Sequence, residues 1–310
     1  MATTKRIKDV VVYISSVANF RRHPRKVACL ESFAKGVRQH GDTVHIETNF
    51  VYQPSRLAVI LGWATTNTGG RNIALRKEII RKQEQLSQHT MCIDGSCWKY
   101  IDSEGKYLRY SIGGPFYDTA EYANHNSTST KWEQISKDLL VPFKMPQYRP
   151  DGYIAICMQR DGGFAMKTLN PIEWLKDKIT EIRKVTNRPI LVRPHPGAFT
   201  MSDFDFLKRY KAVTVVDPLA TSLLANLKGA QSAVFFNSSS CVPAIIEGVP
   251  VFVDDQSCVG WNVANKSIAN IEQPEIFNRE QWLYDLASAH WTDEEGQRGL
   301  IYEKFLPYLR

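Results

Sequence analysis

The sequence is short of several things, and each shortage removes a class of protein. Its six cysteines, Cys29, Cys92, Cys97, Cys157, Cys241 and Cys258, form no Cys-x-x-Cys pair. That spacing argues against a zinc ribbon, and so few cysteines in 310 residues argue against a disulfide scaffold. Buried, reduced thiols are expected instead. No apolar run approaches the ~20 residues that cross a bilayer, so no membrane span is expected. The opening MATTKRIKDVVVYISS carries basic side chains. It lacks an apolar core followed by a small-residue cleavage site, and so leads into a strand rather than forming a secretion signal. A cytoplasmic protein is expected. No motif calls for a divalent cation, and no internal repeat is visible.

What is present is ordinary in amount and uneven in placement. Hydrophobic residues make up 43% and charged residues 23%, as in a soluble globular protein. A length of 310 residues fits two domains of about 150 residues each. Residues 1–150 hold 22 Lys and Arg against 13 Asp and Glu, a net +9. Residues 151–310 hold 17 against 19, a net −2. A basic half beside a near-neutral half suggests one domain that faces a polyanion, or else a lysine-rich soluble face.

Strand and helix patterns alternate along the chain, which predicts parallel sheets with crossover helices. In the first half, strands are predicted at Val10–Ile14, Thr43–Glu47, Leu57–Leu61 and Thr90–Ile93. Helices are predicted at about Lys26–Gln39, where Val27, Leu30, Phe33, Ala34 and Val37 share a face, and at about Asn72–Gln88. Residues 100–130 are irregular and rich in Gly, Ser, Thr, Asn and Tyr, as functional loops often are. The segment VPFKMPQYRPD, 141–151, has three prolines that stiffen it into a linker. The second half predicts strands at Tyr153–Met158, Pro189–Val192, Val213–Val216, Ala233–Phe236 and Pro250–Val253. Its helices fall at Ile172–Val185, Ser202–Tyr210, Leu219–Leu227, Val242–Glu247 and Glu280–Ala289, with a last one at about Thr292–Leu306.

Five groups could carry chemistry. The turn Asn237-Ser238-Ser239-Ser240 lies where a strand ends and a helix begins, so hydroxyls and backbone N–H groups could cradle a phosphate. Glu247, further along that helix, could accept hydrogen bonds from a ribose. A capped helix with a solvent-facing Glu is the plainer alternative. Arg193-Pro194-His195-Pro196 ends another strand, and Arg193 or His195 could hold a diphosphate and neutralise charge on a leaving group. Gln159-Arg160-Asp161-Gly162-Gly163 follows the first strand of the second half. Gln159, Arg160, Gly162 and Gly163 could approach the same ligand, glycine allowing close backbone contact. Asp94 ends the last clear strand of the first half, where a general base could act; His23, Asp118 and His125 compete with it. Lastly, Arg21, Arg22, His23, Arg25 and Lys26 form a basic loop after Phe20, and Arg71 and Arg76 open a second cluster. Cations neutralise phosphates while aromatic rings stack on bases.

The RPHP turn, the segment NSSSCVPAIIEGVPVF and the doubled strand–helix rhythm together resemble glycosyltransferases of the GT-B fold. The likeness is to phage enzymes that decorate modified DNA bases and to bacterial capsular-polysaccharide transferases, and it covers mainly residues 150–310. It implies two Rossmann-like domains facing across a cleft. An acceptor domain would span 1–148 and a nucleotide-sugar domain 149–290, with a C-terminal helix, 291–310, crossing back to the first domain. It implies a UDP-sugar donor lined by Arg193, His195, Ser238, Ser239, Ser240 and Glu247. TMCIDGSCW resembles the strand-end Asp of phage DNA glucosyltransferases, which implies Asp94 as the base of an inverting transfer. The expected acceptor is 5-hydroxymethylcytosine in DNA, in the host cytoplasm if the gene is phage-borne; a capsule or lipopolysaccharide acceptor is the alternative, and a non-catalytic DNA- or nucleotide-binding module a third. No cofactor is required by such a fold, Mg²⁺ is left open, and a monomer is expected.

Overall fold

The computed structural model describes residues 8–63, 70–146, 149–160 and 164–309. The chain divides into two compact units, one of residues 1–132 with 284–310 and one of residues 133–283. The sequence places a boundary at 148; the division falls ahead of the proline-rich segment, inside a helix at Thr130–Leu139.

The first unit is a six-stranded sheet between helices. Its strands are β1 (Lys8–Tyr13), β2 (Val44–Glu47), β3 (Ser55–Leu61), β4 (His89–Gly95), β5 (Leu108–Ile112) and, from the far end of the chain, β11 (His290–Trp291). The order is β11-β5-β4-β3-β1-β2. β1, β2, β3 and β4 pair in parallel, while β5 and β11 close one edge antiparallel. β1 is apolar at every central position because both of its faces are covered, as parallel strands require. Val10 and Val12 pack with α1 (Pro24–Gln39) on one side. Val11 and Tyr13 pack with Leu75 and Ile79 of α2 (Arg71–Gln85) on the other. Pro24 starts α1 at a position where its missing N–H costs nothing.

The second unit opens with α3 (Thr130–Leu139), which spans the division, and carries a five-stranded parallel sheet. Its strands are β6 (Tyr153–Cys157), β7 (Ile190–Arg193), β8 (Val213–Val215), β9 (Ala230–Phe235) and β10 (Val251–Val253), in the order β10-β9-β6-β7-β8. One face holds Ile154, Ile156, Val192 and Val234 against Trp174, Leu175, Ile179 and Ile182 of α4 (Pro171–Arg183). The helices α5 (Leu223–Leu227) and α6 (Cys241–Ile246) flank β9, and α7 (Glu280–Ser288) leads back toward the first unit. The predicted helix over 202–210 is a 3₁₀ segment, Met201–Arg209, started by a reciprocal cap between Thr200 and Asp203.

The single final helix expected at 292–306 is two helices, α8 (Asp293–Gln297) and α9 (Leu300–Phe305). Gly299 breaks it at φ +78°, a conformation open to glycine. The break lets the segment settle on α1. A Cβ at Gly36 would lie 2.2 Å from the Gly296 carbonyl oxygen, so only glycine permits this approach. Ile301, Tyr302, Phe305 and Leu309 then join the core of the first unit, with Phe33 and Tyr302 edge-to-face at 5.9 Å.

β5 and β11 were not visible in the sequence. β5 lies inside the polar stretch 100–130 and carries a charged residue, Arg109, at its second position. All six cysteines are buried thiols. Among the described residues, no helix is long and apolar enough to cross a membrane.

Candidate functional site

Because β6, β7, β9 and β10 are parallel, their carboxyl ends share one edge of the second unit, the edge where ligands of open α/β sheets bind. Gln159 follows β6 and accepts the Asn237 N–H at 3.1 Å through Oε1. Asn237 follows β9, and its Nδ2 donates to the Ala165 carbonyl at 2.8 Å and to Ser257 Oγ at 2.7 Å. Ser257 donates its backbone N–H to Asp255 at 3.0 Å and its hydroxyl to the same carboxylate. The other Asp255 oxygen takes Lys167 Nζ at 2.6 Å. Burial pushes the Asp255 carboxyl up, but the Lys167 ammonium and the Ser257 donors outweigh it and hold it below its ordinary value. Three loops, from β6, β9 and β10, are thereby tied together.

Asn237 is buried in this arrangement and works as a tie. The groups left to face outward are Ser238, Ser239 and Ser240, half-buried, exposed and half-buried in turn. Ser238 Oγ donates to Ser240 Oγ at 3.0 Å and accepts the Ser240 N–H at 3.2 Å, which holds the turn open. The helix that follows, α6, has six residues, all buried. So short a helix supplies little dipole, and the serine hydroxyls and turn amides carry more of any anion affinity than the sequence suggested. Glu247 caps the far end of α6, about 10 Å along the axis from the turn at 1.5 Å per residue. It is paired with Lys144 Nζ at 2.6 Å.

Arg193 behaves differently from its sequence expectation. It is 8% exposed. One guanidinium nitrogen donates to the Thr221 carbonyl at 2.9 Å, to Thr221 Oγ1 at 3.3 Å and to Asn226 Oδ1; the other donates to the Pro218 carbonyl at 3.1 Å. These bonds brace the chain from Pro218 into α5, leaving His195, half-buried, as the polar side chain of the RPHP turn nearer solvent. Arg160 is exposed; Gly162 and Gly163 lie outside the described residues. Asp203-Phe204-Asp205 has an acid-x-acid spacing, but both carboxylates are engaged locally. Asp203 caps its own segment through Thr200, and Asp205 pairs with Lys208 at 2.6 Å. Among the described residues, no group of three or more His, Cys, Asp or Glu side chains could hold a metal ion.

In the first unit, Asp94 near the end of β4 meets Arg109 of β5 at 2.8 Å. The register that pairs Asp94 with Arg109 across the antiparallel ladder makes this contact. Burial pulls Arg109 down, while Tyr122, Cys97 and Asp94 outweigh it and hold the guanidinium above its ordinary value. Asp94 thus has a fixed cationic partner that orients it. Of its competitors, His23 and Asp118 are exposed, and His125 pairs with Glu121 at 3.2 Å.

Arg21, Arg22, His23, Arg25 and Lys26 are all exposed between β1 and the first turn of α1. Arg71, the first residue of α2, lies over the Phe50 ring at 4.7 Å. Arg76 does not join them. Its guanidinium donates to the Leu61 and Trp63 carbonyls, both at 3.2 Å, and braces the end of β3. The sequence reading missed Arg109, Lys167, Asp255 and Ser257. Asp255 and Ser257 stand directly after β10 and were open to discovery by the same strand-end logic; Arg109 and Lys167 were not, since only their distant partners mark them.

Two parallel-dominated α/β sheets in one chain, each framed by helices, define the GT-B kind of fold. No protein-family model matches the sequence, and no curated protein matches it. Among solved structures, the chain is similar to the beta Kdo 2,4 transferase of Thermosulfurimonas dismutans KpsC, at 13% identity and a TM-score of 0.56, over 90% of this chain and 89% of that one. It is also similar to the beta Kdo 2,7 transferase of the same organism's KpsC, at 14% identity and a TM-score of 0.54, over 96% and 99%. These matches support the two-domain GT-B fold expected from the sequence; they do not show the resemblance to phage DNA-base transferases.

Proposed function

We propose that this protein is a glycosyltransferase that moves a sugar from a nucleotide-sugar donor to a hydroxyl of a capsule- or lipopolysaccharide-type glycan. The observation that carries the proposal is the fold match along nearly the whole chain to two Kdo transferases. The second unit takes the donor. Ser238, Ser239 and Ser240 receive its phosphates with their hydroxyls and turn amides, helped by His195 and Arg160. Gln159 and Asn237 keep the turn in place, Arg193 braces the segment behind it, and Glu247 is the ribose acceptor of hydrogen bonds. The first unit takes the acceptor, and Asp94, oriented by Arg109, removes the proton from the attacking hydroxyl in an inverting transfer.

A second reading keeps 5-hydroxymethylcytosine DNA as the acceptor, because residues 1–150 carry a net +9. One experiment separates them. The protein is incubated with UDP-sugars and nucleotide-activated Kdo, against acidic glycans in one arm and hydroxymethylcytosine DNA in the other. Products are then weighed by mass spectrometry. Mass added to glycan supports the main reading, mass added to nucleoside the second, and no transfer from any donor to either removes both. Asp94→Asn should lower turnover by about 10²-fold or more while nucleotide affinity stays within a few-fold. A near-normal rate would take Asp94 out of the chemistry.

A further inference from the structure

The first unit contains a cleft whose chemistry is more specific than its net charge. An open depression of about 500 Å³ is lined by Phe20, Arg21, Arg22, Thr48, Phe50 and Arg71. That volume lies within the about 300–1,000 Å³ of small-molecule sites. It forms where three parallel strands release their chains. Phe20, Arg21 and Arg22 come from the loop after β1, Thr48 and Phe50 from the loop after β2, and Arg71 from the start of α2, after β3.

The lining alternates rings and cations. The Phe20 and Phe50 rings are 6.2 Å apart and inclined at 51°. Arg21 lies 5.7 Å from the centre of the first ring and Arg71 4.7 Å from the second. The backbone here is also strained. Phe50 has φ +61°. A bulky aromatic residue in the left-handed region is an outlier that costs of order 1–3 kcal/mol and persists only where the surroundings hold it. Glu47 supplies that hold. It is 2% exposed, accepts the Ser15 hydroxyl from the turn after β1 and the Asn49 N–H, and so clamps the turn that presents Phe50.

We propose that this cleft binds a carboxylate-bearing sugar ring of the acceptor, its acid group forked by Arg22 and Arg71 and its apolar face laid on Phe50 and Phe20. The inference rests on the glycosyltransferase proposal above and names what the acceptor must carry. Guanidinium groups match carboxylates in a planar, two-point geometry that a lysine cannot reproduce. An extended nucleic acid fits less well. It needs cations along a track of many phosphates. Outside the cleft, α2 offers few: Arg76 is engaged with backbone carbonyls, Lys82 with Glu78 at 2.6 Å and Arg81 with Gln85 at 3.0 Å. At the cleft and the adjoining turn of α1, by contrast, Arg21, Arg22, Arg25, Lys26 and Arg71 are all exposed.

The test is equilibrium binding of the full-length protein to trigalacturonate, to its neutral counterpart galactotriose, and to an eight-residue oligothymidylate, with nucleotide binding measured in parallel. Trigalacturonate should bind at least about tenfold more tightly than galactotriose, the worth of one charge-assisted hydrogen bond. Arg22→Gln with Arg71→Gln should remove that preference. Phe50→Asn keeps a residue that tolerates positive φ and should weaken trigalacturonate about threefold or more through loss of the ring face. Equal binding of the acidic and neutral trisaccharides overturns the proposal, as does trigalacturonate binding that ignores all three substitutions. Oligothymidylate that displaces trigalacturonate and loses affinity in the same variants overturns it in favour of a nucleic-acid ligand. A protein that binds trigalacturonate through Arg71 yet transfers no sugar from any donor refutes the transferase proposal and leaves the cleft standing.

Discussion

Lowering the pH from 7 to 5 should destabilise the first unit through one buried imidazole. His290 in β11 is 0% exposed. Its Nδ1 lies 2.8 Å from the Leu286 carbonyl and must be the protonated nitrogen, because a carbonyl only accepts. Its Nε2 lies 3.0 Å from the Cys97 backbone N–H and must be the bare one, because an N–H only donates. Both nitrogens are therefore committed to the neutral ring. Trp98 covers it at 5.5 Å. Burial drives its pKa down to about 3; the Leu286 carbonyl opposes this, and Arg109 and Lys131 reinforce it. In the unfolded chain the ring takes up its proton near 6.5. Between those values the unfolded state binds more protons than the folded one, so stability rises with pH. The contribution is complete above about pH 6.5 and is lost progressively as pH falls toward 3, some 3–5 kcal/mol in all at 1.36 kcal/mol per unit. Down to pH 5, before most carboxylates titrate, the share is about 2 kcal/mol. The assay is urea unfolding at pH 7, 6 and 5 of the native protein and His290→Gln, followed through the tryptophan signal of the first unit, where the Trp98 and Trp132 rings lie 5.7 Å apart, inclined at 38°. The variant should be less stable at pH 7, and its deficit should shrink by roughly 1 kcal/mol per unit on acidification. A deficit that stays constant from pH 7 to 5 refutes the assignment of a neutral, doubly bonded ring.

Arg193→Met should cost the second unit about 3–5 kcal/mol, since it leaves the Thr221 and Pro218 carbonyls and Asn226 without their donor; chemical denaturation checks this, and unchanged stability with abolished nucleotide binding would return Arg193 to the phosphates. Gly36→Ala should destabilise the first unit by about 1–3 kcal/mol by driving a methyl into the Gly296 carbonyl, and a variant as stable as the native protein would show that α8 and α9 are not seated on α1. Ser238→Ala with Ser240→Ala should weaken nucleotide binding about tenfold or more while the melting temperature moves little, because both hydroxyls bond chiefly to each other and to the turn; calorimetric titration reads it.

Much of the fold was legible because its signals are local. The run of valines in β1 reports a strand covered on both faces whatever follows it, and the spacing of Val27, Leu30, Phe33, Ala34 and Val37 reports the buried stripe of α1. The serine turn was legible for the same reason, a strand pattern ending where a helix pattern begins. The 100–130 stretch was opaque because β5 is held by partners far away in sequence. Its Arg109 is tolerable in a buried strand only because Asp94 lies across the ladder, and β11 joins it from the other end of the chain.

From composition and pattern alone come the two-unit division, the alternating parallel architecture, and the strand-end turns of Ser238–Ser240 and Arg193–His195, since hydrophobic periodicity and turn chemistry act over a few residues. Tertiary structure alone decided which of those side chains remain available. It turned Arg193 and Arg76 inward to brace carbonyls, gave Asp94 a partner, broke the last helix at Gly299, and gathered Phe20, Arg22, Phe50 and Arg71 into one cleft. Those outcomes depend on strand register and on contacts between residues tens to hundreds of positions apart, and no local pattern encodes such distances.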